Sequence, residues 1–167
     1  MDIPKAQRPR DSHFDWGRFS RSVIESYGSF ESPDYSFVKA NLAVAKYPDV
    51  IRFLEGNFDF SEDTEPNTDV SYGYFLKEGT ENFILRVSLV GPYYYLSSLL
   101  SDGSQKSPSI DLSSTDSMYP LIRHMEEAGM IFTSVEVLNK RFTFGNQSSS
   151  VYSILYCYED DPYWVEV

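Results

Sequence analysis

A chain of 167 residues, 41% apolar, with thirteen Tyr and twelve Phe, can bury roughly two-thirds of its unfolded surface as one domain. It is also too aromatic for disorder. A formal charge of −11 argues against nucleic acid as a partner, because such a body repels phosphates and steers toward basic surfaces. The lone Cys157 excludes an intramolecular disulfide and a thiolate cluster.

Residues 1–12, with Pro4 and Pro9, read as a flexible arm, and residues 13–167 as a single domain. The arm region is locally basic. Residues 1–21 carry Lys5, Arg8, Arg10, Arg18 and Arg21 against Asp2, Asp11 and Asp15, which leaves −13 on the remainder. A first helix is predicted from Asp15 to Tyr27, stopped by Gly28. Ser32 as N-cap and Pro33 at the first helical position open a second, with Phe37, Val38, Leu42 and Ala45 at helical spacing. Pro48 breaks that run, and a short helix carries Val50, Ile51, Phe53 and Leu54 as far as Gly56.

Residues 57–69 follow, reading NFDFSEDTEPNTD, with the carboxylates Asp59, Glu62, Asp63, Glu65 and Asp69 and no basic residue. They are predicted to be a surface loop between helix and sheet. Phe58 and Phe60 would anchor it on the core, and Glu62, Asp63 and Glu65 would face outward.

The period then changes to two. Tyr72, Tyr74 and Leu76 alternate with Ser71, Gly73 and Phe75; Phe83, Leu85, Val87 and Leu89 share one face of the next strand; and YYYLSSLL at residues 93–100 makes a third. The three form an antiparallel meander. After a Ser/Asp-rich loop, Met118, Leu121, Ile122 and Met125 define a helix closed by Gly129. Pro120 is tolerable in its first turn. Two final strands are expected near Ile131–Leu138 and Val151–Tyr158. Segregated helices and strands predict an α+β fold: N-terminal helices, the meander, a further helix, and two C-terminal strands in a sheet covered by helices.

No catalytic constellation emerges, so no catalytic residue, no cofactor and no metal site is expected. As a calcium loop, residues 59–70 put Thr64 where Gly is required and Val70 where a bidentate Glu is required. His13 and His124 stand far apart, outside any zinc-binding spacing. Cys157 lies among apolar residues and reads as a small buried hydrophobe. Glycine-rich phosphate loops are missing. The pairs Glu126–Glu127 and Asp160–Asp161 are sequence neighbours, which diverge in space rather than form a glycosidase pair. The start of the chain has no apolar core of signal-peptide length, and no run approaches the ~18 apolar residues of a membrane span. A cytoplasmic protein without a membrane partner is expected.

The C-terminal YCYEDDPYWVEV is the second acidic-aromatic segment, with Glu159, Asp160 and Asp161 beside Tyr163 and Trp164. Tyr and Trp are enriched at protein interfaces; the equal alternative is a final strand docking on the sheet with Trp164 in the core. With this segment and NFDFSEDTEPNTD, the small acidic chain resembles the bacterial immunity proteins that neutralise toxins delivered by neighbouring cells. The resemblance implies stoichiometric occlusion of a cognate toxin's basic active site. Asp59, Glu62, Asp63, Glu65, Asp69, Glu159, Asp160, Asp161, Tyr163 and Trp164 are then the candidate partner-binding residues. The competing expectation is a small-ligand enzyme or binding domain, with Tyr72, Tyr74 and Tyr95 lining a pocket between helices and sheet.

Overall fold

A computed structural model describes residues 14–106, 117–159 and 161–165. The predicted arm at residues 1–12, His13, residues 107–116 of the expected Ser/Asp-rich loop, Asp160 and residues 166–167 lie outside the described residues. The fold is α+β: helices flank a mixed five-stranded sheet, and a two-stranded sheet lies beside it.

Helix α1, Trp16–Tyr27, starts where the Asp15 side chain accepts the N–H of Arg18 and ends at Gly28 with φ 84°. It buries Phe19, Val23 and Tyr27, one per turn. Helix α2 is Phe37–Ala43 and α3 is Pro48–Asn57. The expected start of α2 at Ser32 and Pro33 is corrected. The Asp34 side chain accepts the N–H of Ser36 at 2.8 Å, a local turn that competes with helix.

Strands β1 (Asp59–Glu62), β2 (Ser71–Glu78), β3 (Glu81–Ser88) and β4 (Tyr93–Ser98) run antiparallel in sequence order. The meander is therefore as expected, with one more strand at its edge. That strand is the first half of NFDFSEDTEPNTD. It alternates an inward Phe60 with exposed Asp59 and Ser61, a period that four residues are too few to announce.

Helix α4, Tyr119–Glu127, carries Pro120 in its first turn and buries Leu121, Ile122 and Met125. The strand expected at Ile131–Leu138 survives only as β5, Ile131–Phe132, parallel to β4. Ser134 then caps α5, Val135–Leu138, by accepting the N–H of Val137. A hairpin not anticipated from sequence follows, β6 (Arg141–Phe144) and β7 (Gln147–Ser150). Its two-residue turn has Gly145 at φ 59° and Asn146 at φ 66°, the double left-handed geometry that two-residue hairpins need.

The strand expected at Val151–Tyr158 is instead helix α6, Val151–Leu155. Val151, Tyr152, Ile154 and Leu155 are all buried, and a segment apolar all round has no periodicity to separate helix from covered strand. Ser150 caps its start. Its last carbonyls, which a helix leaves unpaired, are met from outside. Tyr27 donates to Ile154, Ser88 to Leu155 and Ser71 to Tyr156, at 2.7–2.9 Å.

The register sorts the sheet into two faces. Tyr72, Tyr74 and Leu76 of β2 align with Val87, Leu85 and Phe83 of β3 on one face, which the Tyr47 ring approaches from the start of α3 at 6.4 Å from Tyr72. Ser71, Gly73, Arg86, Ser88 and Tyr95 lie on the other, where α6 docks through the serine bonds just described.

Candidate partner-binding surface

The acidic stretch is built rather than loose. Beyond β1, Asp63 donates its N–H to the Gly73 carbonyl at 2.7 Å, and the Gly73 N–H donates to the Thr64 hydroxyl at 3.0 Å. A Cβ at position 73 would stand 2.7 Å from the Asp63 carbonyl oxygen, so glycine is what lets the strap lie on β2. Thr64 also donates to Glu62 Oε1, and Glu65 Oε1 accepts from both nitrogens of Asn67. Asp59, Glu62, Asp63 and Glu65 are all exposed.

Asp69 is a correction. Expected to face a partner, it is 3% exposed and belongs to the core. Its Oδ2 accepts from Arg86 Nη1 and from the Glu65 N–H, both at 2.8 Å. Arg86, 8% exposed, stands on the sheet face that α6 covers. Burial opposes its charge; Tyr95, Tyr152 and the Asp69 carboxylate beside it more than offset that, so its pKa is raised. Phe58 and Phe60 are half-buried anchors. Phe58 packs 6.4 Å from Phe53, and Phe60 packs 6.1 Å from Tyr74.

The C-terminal segment divides the same way. Trp164, for which interface and core were equal expectations, is 7% exposed, with its ring 5.8 Å from Tyr95 and 5.6 Å from Tyr152. Its carbonyl accepts from Asn139 Nδ2. Tyr163, next to it, is 70% exposed. Glu159 is exposed, and Asp161 is exposed and accepts a bond from the Ser153 hydroxyl.

The fold brings the two segments together. Val70 donates to the Tyr156 carbonyl, Tyr158 donates its N–H to the Thr68 carbonyl and its hydroxyl to the Asn67 carbonyl, and Asp69 forms a β-bridge with Cys157. Distant in sequence, residues 67–70 and 156–158 thus border one another. Nothing in the local composition of either segment signals the other. The signal that sequence reading missed is Arg86, a lone cation in an apolar strand, which needs a buried anion.

His124 stacks on Phe53 at 4.2 Å, in an open groove between α3 and α4 with Asp49, Arg52 and Glu127. Cys157 is buried. Tyr72, Tyr74 and Tyr95 are buried rather than exposed to a cleft. Tyr72 donates to the carbonyl of Asn41, and Tyr95 donates to Gln105 Oε1. Among the described residues no group of three His, Cys, Asp or Glu could hold a metal ion, and no helix is long and apolar enough to cross a membrane. The chain matches no family model, no curated protein and no solved structure.

Proposed function

We propose that this chain is a stoichiometric protein inhibitor of the immunity type, which binds and neutralises a cognate toxin by covering its basic active site. One observation carries the reading: two acidic-aromatic segments far apart in sequence border one another, and hydrogen bonds of Glu65 to Asp69 and of Tyr158 to Asn67 and Thr68 tie down the backbone that presents their exposed carboxylates. A surface ordered before binding loses little conformational entropy on association. A field from a body of charge −11 speeds encounter with a basic partner. The alternative of a tyrosine-lined ligand pocket is disfavoured by the burial of Tyr72, Tyr74 and Tyr95.

The test is affinity capture from the native cell at low salt, followed by expression of the captured protein with and without this chain. The expected result is a captured protein that is toxic alone and harmless when co-expressed. A captured protein without toxicity, or one whose toxicity is unchanged by co-expression, removes the reading.

A further inference from the structure

We propose that the open edge of β1 accepts an extended, basic segment of the partner as an added strand of the sheet. This rests on the partner-binding reading above and specifies how that surface engages.

Strand β1 ends the order β1-β2-β3-β4-β5. Its register pairs Glu62 with Tyr74, so Asp63 and Gly73 come next, joined by the 2.7 Å bond from the Asp63 N–H. Bonded pairs recur at every second residue of an antiparallel ladder. Asp59 and Ser61 therefore turn their backbone groups toward β2, and Phe60 and Glu62 turn theirs outward. Among the described residues no group meets those outward N–H and C=O groups. They form a template for one more strand.

Side chains select which strand. Asp59 and Glu62 on β1, with Asp63 and Glu65 beyond, are exposed. A second copy of this chain would bring the same charges to the same edge and be repelled, whereas lysine or arginine is favoured across Asp59 and Glu62. Ser61 is paired with Phe75, whose ring is 38% exposed. Because Ser61 is small, an apolar side chain placed across from it can lean over onto that ring. The occupant is thus an extended segment with basic residues across from Asp59 and Glu62 and apolar residues across from the two positions between them.

The probe is a capped peptide containing Lys-Val-Val-Lys at millimolar concentration, with a Glu-Val-Val-Glu peptide as control, added to the full chain. Amide exchange by NMR should slow at least tenfold at Phe60 and Glu62 with the basic peptide and stay unchanged with the acidic one. Glu62→Pro removes an outward N–H and no ladder bond. It should weaken peptide binding at least tenfold, while Glu62→Gln loses only the salt-sensitive part. Equal binding by the two variants, or no slowing at Phe60 and Glu62 in the unmodified chain, overturns the proposal. So does slowing there when the chain is merely concentrated, because the occupant is then a second copy. If Glu62→Pro fails to fold, the exchange data on the unmodified chain decide alone. If neutralising Glu62, Asp63 and Glu65 together abolishes peptide binding while Glu62→Pro does not, the edge is wrong and the acidic surface stands. If neither change has an effect, the partner-binding reading fails with it.

Discussion

The two acidic-aromatic segments look alike as strings, yet they are fastened by opposite chemistry. Residues 57–69 are held by a charge, Asp69 on Arg86. The C-terminal segment is held by an aromatic ring, Trp164 on Tyr95 and Tyr152. The two anchors nearly meet, since Arg86 and Tyr95 are paired across β3 and β4. A buried ion pair dictates geometry but adds little net stability over a well-packed apolar pair. A buried ring adds stability directly through the area it removes from water. The acidic strap is therefore the more exactingly positioned of the two segments, and the C-terminal segment the more firmly bound.

Asp69→Ala is the sharpest way to break this comparison. It strands the Arg86 guanidinium in the core and should lower stability by about 3–5 kcal/mol in urea unfolding. The double variant Asp69→Leu with Arg86→Met should recover to within about 2 kcal/mol of the parent, short of full recovery because the Glu65 N–H loses its acceptor. A double variant as unstable as the single one would mean that the pair contributes more than mutual neutralisation.

Trp164→Ala should cost about 3–4 kcal/mol by the same measurement, with no second substitution restoring it. Tyr163→Ala, one residue away, should stay within about 0.5 kcal/mol. Equal losses at the two positions would move the aromatic anchor.

Alkali should attack the aromatic anchor and spare the charged one. Burial pushes the Tyr95 phenol up to about 12, and it raises the pKa values of Tyr27, Tyr152 and Tyr156 as well. A folded pKa above the unfolded value of about 10 means stability fully present below pH 10 and lost as pH rises through 12. For Tyr95 alone that loss is about 2–3 kcal/mol. Phenolate absorbance should rise together with loss of circular dichroism. Ionisation of these four near pH 10 with the fold intact would show that water reaches this face.

The sequence carried most of what repeats and little of what is isolated. The meander was legible because Tyr72, Tyr74 and Leu76, and then Phe83, Leu85 and Val87, sustain a period of two over whole strands. The helix around Met125 was legible through its apolar spacing. Helix α6 was not, because five residues, four of them buried, carry no period. The site was half legible. Composition marked both segments, but it could not tell Asp69 from Glu65 or Trp164 from Tyr163. Inward or outward is decided by partners distant in the chain, here Arg86 on β3 and Tyr95 on β4.

The smallest expected change in stability is also the one that separates holding the strap from using it. Glu62, Asp63 and Glu65 are exposed, and none of the three is ion-paired among the described residues. Replacing them with Gln, Asn and Gln keeps the acceptor oxygens that Thr64 and Asn67 use, so the strap should keep its shape. Thermal stability should then move by no more than about 0.5 kcal/mol, with a slight gain if relief of like-charge repulsion dominates. Exposed rim charges act chiefly on encounter. Against a captured basic partner, the association rate should therefore fall several-fold at low salt and become less salt-dependent, with dissociation little altered. An unchanged rate at two salt concentrations would mean that the partner docks elsewhere. A loss of more than 1 kcal/mol would mean that these carboxylates hold the strap, and that its fastening is not Asp69 on Arg86 alone.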